Sequence, residues 1–301
     1  MAQRPVLCND HDANSGVRVG MDRRAVLGLF AKLAAIFGLA RGASAQGVLS
    51  TFGEEELQRL RAAYPYPILT VPGRVAVAEW EKLKRAGQGW PVIIGDDEAL
   101  GRMLEAFTID DPSIYPSSDE VAGEWPASRS VEEILTAADT IDVTSELQRR
   151  FEEEFGPDGL EPEPGEWPEP GEVGGSGLTV HTDILTQRVF AKVHLTVLPT
   201  DDPTAVPAYL RWGGWNECPP PEVHVAVHRK WREQYGAQIV GISSDTINMR
   251  VARRPASREE ALALAREQYL YCSDLIDQGT ETLEVLAASL MADDWWYFWW
   301  D

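Results

Sequence analysis

The segment Trp90-Pro91-Val92-Ile93-Ile94-Gly95-Asp96-Asp97 carries the clearest fold signal in this sequence. Residues 90–95 form an apolar run that ends at a glycine, which is typical of a buried strand. Asp96 and Asp97 then precede apolar residues at helical spacing, and a carboxylate in that position caps a helix N-terminus. A buried strand that leads directly into a capped helix favours an α/β fold.

The same patterns predict further elements on both sides of this segment. Capping boxes at Ser130-Val131-Glu132-Glu133 and Ser257-Arg258-Glu259-Glu260 each open a helix. The prolines 219–221 also precede a helix, because a proline at a helix start has no N–H to leave unpaired. The predicted strands are 68–71, 75–77, 189–197, 206–211, 237–243 and 246–252, and the predicted helices are 54–63, 222–235 and 258–277.

Six consecutive aromatic residues, 295–300, stand before the final Asp301. As a strand, they place Trp295, Tyr297 and Trp299 on one face and the other three rings on the opposite face. Burial of both faces predicts a central strand under helices. A platform on which sugars or peptides stack is the alternative, and six residues are too few to span a membrane.

The chain divides along its length into a signal region, two α/β regions and a connector. Residues 46–155 form a smaller N-terminal α/β region, and residues 178–301 form a C-terminal α/β domain with a mixed sheet covered by helices. Residues 156–177 are an acidic linker rich in Pro and Gly. A long functional lid is the alternative interpretation of this linker, and Trp167 within it is a candidate to dock on a domain.

Residues 1–45 have the layout of an export signal. Arg23 and Arg24 precede a short apolar run that ends in Ala43-Ser44-Ala45, so cleavage is expected between Ala45 and Gln46. The segment resembles a twin-arginine (Tat) signal, and Met21 is a candidate start. The Sec route and an N-terminal helix of the folded domain are the alternatives. We expect a protein that is exported to the periplasm or secreted, with no stable membrane span after cleavage.

Composition narrows the classes of partner. The 301 residues include 48 acidic and 27 basic side chains, for a formal net charge of -21. Such an acidic chain lacks the basic footprint that nucleic acids require, so no nucleic-acid partner is expected. Three cysteines are too few for a disulfide scaffold. The sequence contains no G-x-S-x-G, Walker A, G-x-G-x-x-G or C-x-x-C motif. The common hydrolases, nucleotide-binding proteins and redox proteins that carry these motifs are therefore less favoured.

Three long motifs in the C-terminal part carry a family resemblance. They are Leu210-Arg211-Trp212-Gly213-Gly214-Trp215-Asn216-Glu217-Cys218-Pro219, Glu267-Gln268-Tyr269-Leu270-Tyr271-Cys272-Ser273-Asp274 with Asp277-Gln278-Gly279, and the Trp-Tyr-Phe-Trp-Trp-Asp ending. Together they resemble the bacterial domain-of-unknown-function family 4253 over about residues 206–301. The resemblance implies an α/β domain of about a hundred residues and implies no particular reaction.

Polar and aromatic residues within these motifs predict a ligand pocket. They are Trp212, Trp215, Asn216, Tyr271, Asp274 and Gln278. The wider polar set adds Glu217, Asp245 and Asp277, which stand at predicted strand ends, helix ends or turns, where α/β folds place their sites. The alternative is that these carboxylates and amides serve turns and caps.

Cysteine and histidine residues of the same region suggest a second constellation. Cys218, His224, His228 and Cys272 offer two thiolates and two imidazoles, a donor set that suits zinc, and the two histidines share a helix face. Their spacing matches no standard zinc motif, so a packed histidine is the competing interpretation. The two cysteines are alternatively a disulfide or buried free thiols.

Two functions fit these observations. The leading hypothesis is a soluble binding or interaction module for a small molecule or a protein, with a polar-aromatic pocket and no cofactor. The alternative is a hydrolase that uses Asp245, Asp274 or Asp277, with or without zinc at Cys218 and His224. The sequence does not decide whether the protein is an enzyme.

Overall fold

A six-stranded mixed sheet organises the part of the chain that the structure describes. This computed structural model describes residues 53–108, 129–156, 162, 165–169, 171–183 and 185–300. The predicted signal region, its cleavage point at Ala45 and Gln46, and Met21 lie outside these ranges. The predicted α/β class is confirmed, since helices precede, separate and follow the strands.

The elements follow one another along the chain with short connections. Within the described ranges, the strands are β1 Ile68–Val71, β2 Trp90–Gly95, β3 Thr182–Asp183, β4 Arg188–Val189, β5 Val193–Leu198, β6 Gln238–Ile242, β7 Thr246–Arg250 and β8 Trp295–Trp299. The α-helices are α1 Glu54–Ala63, α2 Ala76–Ala86, α3 Asp97–Glu105, α4 Val131–Ala138, α5 Val143–Phe155, α6 Val206–Leu210, α7 Pro221–Tyr235, α8 Arg258–Tyr271 and α9 Leu283–Ala292. No helix in these ranges is long and apolar enough to cross a membrane.

Strand β2 lies in the interior of the sheet, as its apolar sequence predicts. The strand order is β1-β5-β2-β6-β7-β8, and all six residues of β2 are buried. β2 pairs antiparallel with β5 on one side and parallel with β6 on the other, while the remaining pairs are antiparallel. The side chain of Asp96 caps α3 by accepting a hydrogen bond from the Ala99 N–H.

The two α/β regions of the sequence contribute to one sheet. Strands β1 and β2 come from residues 46–155, whereas β5 to β8 come from residues 178–301. Because β5 lies between β1 and β2, the strands of the two regions alternate in space. The predicted boundary between residues 46–155 and 178–301 therefore does not separate two sheets. One hydrophobic cluster contains buried residues from both regions.

Two predicted strands are helical, so those predictions were wrong. Residues 75–77 lie at the start of α2, where Ala76 and Trp80 are buried at i and i+4. Three alternating residues were too few to distinguish a strand from a helix. Residues 206–211 include α6, where Pro207 occupies a first-turn position that needs no N–H, whereas a strand would lose a ladder hydrogen bond there.

The helix predicted for 258–277 is interrupted. Helix α8 ends at Tyr271, and Cys272 follows it in an extended conformation. Residues Leu275–Thr280 then form a separate π-helical turn. This break turns the chain at Cys272 and places the turn against β8, where Gly279 lies beside the Trp299 ring.

The aromatic strand β8 is at the edge of the sheet rather than at its centre. It pairs only with β7 in the six-stranded sheet, which corrects the predicted central position. Trp296, Phe298 and Trp300 are buried, and Trp231 of α7 stacks on Phe298 with ring centroids 5.3 Å apart. The opposite face is half-buried and is covered in part by the π-helical turn, so helices over an edge strand supply the burial that the sequence attributed to a central one.

Part of the acidic linker, around Gly165 and Trp167, lies against the rest of the protein. The Gly165 N–H donates to Glu284 of α9, and the Trp167 ring packs on the core under the Arg258 guanidinium at 4.5 Å. Further along, the Asn248 side-chain carbonyl accepts hydrogen bonds from the backbone N–H groups of Thr179 and Val180. Trp167 therefore packs on the folded core, as predicted for a tryptophan within the linker.

Candidate functional site: a buried histidine and tyrosine cluster beside an acidic aromatic pocket

The Tyr271 hydroxyl joins two helices in the interior of the protein. It lies 2.5 Å from Nδ1 of His224 and 3.0 Å from Nε2 of His228. The two histidines are four residues apart on α7 and therefore share one face, while Tyr271 is the last residue of α8. All three side chains are buried, so these hydrogen bonds take the place of the water that the polar groups lose on folding.

The hydrogen-bond partners assign the protons of this network. The Pro219 carbonyl accepts a hydrogen bond from His224, and the Cys218 Sγ lies 3.5 Å from Nε2 of the same ring. We assign the His224 proton to Nε2, because the Pro219 carbonyl acts on this ring as a hydrogen-bond acceptor, and with this assignment Nδ1 accepts the hydroxyl proton of Tyr271. The Tyr271 oxygen in turn accepts the Nε2–H of His228. This leaves Nδ1 of His228 a bare acceptor, and this atom has no hydrogen-bond partner.

Burial keeps every member of the network neutral. Loss of solvent lowers the pKa of His228 to about 3 and holds the pKa of His224 well below its usual value, where the neighbouring His228 adds to the effect. The same burial raises the pKa of Tyr271. At neutral pH the cluster is a chain of uncharged hydrogen bonds and offers no charged acid or base.

The Trp-Gly-Gly-Trp loop closes over His224. The Trp212 ring lies 5.0 Å from the His224 ring, and the indole N–H donates to the Ser243 carbonyl at 2.7 Å. A Cβ on Gly213 would stand 2.2 Å from the Pro219 carbonyl oxygen and 2.7 Å from Nε2 of His224, and Gly213 has a φ of 110°. Glycine is therefore required at this position for the loop to approach the histidine.

A small pocket opens beside this cluster. It has about 20 Å³ of room for water-sized molecules, and we call it the Tyr271 pocket. Its walls are Arg150, Phe151, Glu154, Phe155, Glu217, Tyr269, Leu270, Tyr271, Cys272, Ser273 and Trp300. A space of this size holds about one water molecule or a group of similar size. Phe155 at the pocket is 41% exposed, which is unusual for a phenylalanine in this structure.

Carboxylates make the pocket electrostatically negative. Partial burial raises the pKa of Glu154, and repulsion from Glu217, Asp274 and Asp277 raises it further against the opposing effect of Arg150. The pKa of Asp277 is also raised, by burial and by Asp274. Glu154 thus experiences repulsion from three other carboxylates, of which Glu217 also lines the pocket, and a cation beside Glu154 would relieve this repulsion.

Comparison with known proteins identifies the C-terminal part of this arrangement. Residues 194–301 match the family described as domain of unknown function (DUF4253). The resemblance predicted for about 206–301 is thereby confirmed. Searches of curated proteins and of solved structures give no match. The DUF4253 segment contains the whole histidine and tyrosine cluster, but β2 and the α5 wall of the pocket come from outside it.

The structure brings together only part of the predicted pocket. Trp212 and Trp215 form a T-shaped pair at 4.8 Å, and Trp212 also contacts the Trp300 ring, so these tryptophans belong to the aromatic packing around His224. Tyr271 lines the Tyr271 pocket, and Asp274 influences its charge. Asn216 and Gln278 are exposed, and Gln278 donates to Asp274 at 2.6 Å.

The cysteines and histidines proposed for zinc are placed differently from a metal site. Among the residues with described positions, no three His, Cys, Asp or Glu side chains form a group that could hold a metal ion. Both nitrogens of His224 lie within hydrogen-bond distance of protein groups. Cys218 and Cys272 are free thiols in the interior, and the Cys272 Sγ–H donates to the Trp299 carbonyl at 3.0 Å.

The carboxylates proposed for hydrolysis are dispersed. Asp245 is exposed and accepts hydrogen bonds from the hydroxyls of Ser243 and Thr246, as a turn aspartate does. Asp277 is beside the Tyr269 hydroxyl, at 3.4 Å. Asp245 does not line the Tyr271 pocket, whereas Asp274 and Asp277 act on its charge.

Sequence reasoning missed the wall that α5 contributes to the Tyr271 pocket. Arg150, Phe151, Glu154 and Phe155 all lie on one face of this helix. Phe151 and Phe155 at i and i+4, with rings 4.7 Å apart, were the available signal. Nothing in the sequence indicated that this face would meet Tyr269 of α8, which stands 114 residues after Phe155 along the chain.

The two glycines of the Trp-Gly-Gly-Trp loop provide a test of this site. Gly213→Ala should lower the free energy of unfolding by about 2–4 kcal/mol, because the methyl group meets the Pro219 carbonyl and His224 in addition to the positive φ. Gly214→Ala is the matched control: its φ is 89°, but no atom lies closer than 3.8 Å to the added Cβ, so a loss of about 1–2 kcal/mol is expected. Urea denaturation measures both values. Equal losses in the two variants would contradict the close packing of the loop on His224.

Proposed function

We propose that the protein is a binding module whose Tyr271 pocket takes the head group of a small primary amine. The observation that carries this proposal is the combination of a water-sized space with Glu154 and Glu217 in its walls. An ammonium group is similar in size to water and donates three hydrogen bonds, which suits carboxylate acceptors. Its charge also offsets the repulsion among the acidic groups that raises the pKa of Glu154.

The aromatic walls support the same ligand class. Phe151, Tyr269 and Trp300 line the pocket, and the Phe151 and Tyr269 rings lie 5.6 Å apart. The face of an aromatic ring attracts a cation, and the exposed Phe155 ring offers apolar surface to the carbon chain of an amine. A ligand with a charged head and an apolar stem therefore fits both parts of the pocket.

Charge and reactivity favour binding over a reaction at this pocket. The formal net charge of -21 attracts cations over a long range and increases their rate of encounter. Burial raises the pKa values of the Tyr271 hydroxyl and the Cys272 thiol, so both stay protonated at neutral pH and are poor nucleophiles. The pocket thus holds a ligand without an activated group to attack it.

A titration with 1,5-diaminopentane tests the proposal. We expect saturable quenching of tryptophan fluorescence, since Trp300 lines the pocket, in a chain that begins at Gln46. Glu154→Gln should weaken binding by about fivefold, the effect of removing an ion pair worth about 1 kcal/mol. Glu152→Gln is the matched control, because Glu152 is exposed on the same helix, as Glu154 is, but does not line the pocket, and its loss changes the net charge equally.

Three outcomes would contradict amine binding. The first is an equal loss of affinity in the Glu154→Gln and Glu152→Gln variants, which would show a general charge effect. The second is binding of 1-pentanol as tight as that of 1-aminopentane, which would show that the positive head group contributes nothing. The third is fluorescence that does not saturate with any of these probes.

We also propose that residues 21–45 act as an export signal that is cleaved after Ala45, with the Tat route as the expected pathway. The twin arginines, the short apolar run and the Ala-Ser-Ala ending support this proposal. Mass spectrometry of material recovered outside the cytoplasm should find Gln46 at the N-terminus. Exported protein that retains Arg23 and Arg24 would contradict cleavage.

A further inference from the structure

A second polar constellation lies at the far side of the sheet, where β1 forms the edge. Thr70 of β1 stands directly opposite His194 of β5, and its hydroxyl oxygen is 2.9 Å from Nδ1 of the imidazole. Nε2 of the same ring is 2.8 Å from Oδ1 of Asp97, at the start of α3. A hydroxyl, an imidazole and a carboxylate thus stand in one line of hydrogen bonds.

The ionised state of Asp97 determines which groups donate and which accept in these hydrogen bonds. Burial raises the pKa of Asp97, but hydrogen bonds from Lys192 and His194 lower it more, so the group is ionised at neutral pH. An ionised carboxylate only accepts hydrogen bonds, so Nε2 of His194 must carry the proton. Nδ1 is then the bare nitrogen and accepts the hydroxyl proton of Thr70, which makes His194 a base in contact with an alcohol.

Thr70 is exposed and His194 is buried, which is the arrangement that a reactive hydroxyl and its base require. Thr70 is exposed on the outermost strand, whereas His194 is 1% exposed. Burial lowers the pKa of His194 against the opposing effect of Asp97, so the imidazole is unprotonated at neutral pH. Solvent and solutes therefore reach the hydroxyl, while the base behind it is held in one orientation by Asp97.

We propose that Thr70, His194 and Asp97 form an acyl-transfer site in which Thr70 is the nucleophile. The Thr70 oxygen attacks the carbonyl carbon of a carboxylic ester as its proton moves to Nδ1 of His194. The tetrahedral intermediate collapses, the ester C–O bond breaks, and the alcohol leaves with the proton from His194. Water then attacks the acyl-threonine with His194 as base, which releases the carboxylic acid and restores the Thr70 hydroxyl.

The surroundings indicate which esters would react. Thr70 lies on an edge strand rather than in a deep cleft, so a small acyl group such as acetyl is the expected donor. Lys192 pairs with Oδ2 of Asp97 at 2.6 Å, and Arg61 and Lys192 both act electrostatically on His194 and favour its neutral, basic form. The site is separate from the Tyr271 pocket, with which it shares no residue.

Acylation of the full chain by p-nitrophenyl acetate tests the proposal. We expect release of p-nitrophenolate with a burst, and peptide mass spectrometry should find one acetyl group on Thr70. Thr70→Ser should retain the burst. Thr70→Val should abolish it while keeping the strand propensity, and its thermal midpoint should fall only by the cost of leaving Nδ1 of His194 without a donor. Thr144→Val is the matched control, since Thr144 is exposed on α5 and should leave the burst unchanged.

Two further variants distinguish a reactive Thr70 hydroxyl from one that only makes a structural hydrogen bond. His194→Gln and Asp97→Asn should each slow the acetylation of Thr70 by about 100-fold, the usual effect of losing general-base assistance. Asp97 is only half-buried, so its variant should fold even where substitution of the buried His194 does not. Acetylation absent from Thr70, or a Thr70 acetylation rate unchanged in Asp97→Asn, would overturn the proposal.

Discussion

The hydrogen bonds of the Tyr271 hydroxyl hold two helices of the C-terminal half of the structure together. It is the only hydrogen-bond partner shared by His224 and His228 among the described contacts, and it ties the end of α8 to the face of α7. The neutral state of both histidines depends on their complete burial, to which the rings of Trp212 and Trp300 contribute by packing against His224. The same end of α8 also supplies Tyr269 to the adjoining pocket, and Cys272 follows it there, so one contact positions both the cluster and a wall of the candidate site.

Much of the fold was predictable from local chemistry. The apolar strand 90–95 and the carboxylate of Asp96 predicted β2 and α3, and the capping box at Ser130 predicted α4. These elements depend on neighbours within a few residues, which a single sequence displays. Residues 206–211 failed for the opposite reason, since their apolar composition suits a strand and only the position of Pro207 indicated a helix.

The candidate site was less predictable because it depends on pairings that are distant in sequence. The motifs placed Trp212 and Tyr271 in the predicted pocket, and both residues contact His224 of the buried cluster. The α5 wall was missed, because Phe151, Glu154 and Phe155 read as an ordinary amphipathic helix until α8 packs beside them. For the same reason, the placement of Thr70 opposite His194 requires the register of β1 and β5, which the sequence does not display.

The ring nitrogens of His224 and His228 report most directly on the buried network. In a ¹⁵N-labelled chain that begins at Gln46, long-range ¹H–¹⁵N correlation spectra distinguish the two neutral tautomers from the imidazolium. We predict that both rings are neutral with the proton on Nε2, and that they remain so as the pH falls to about 4, because the pKa of His228 is about 3 and that of His224 is also strongly lowered. An imidazolium signal from either residue near pH 6, or a proton on Nδ1 of His224, would contradict this account.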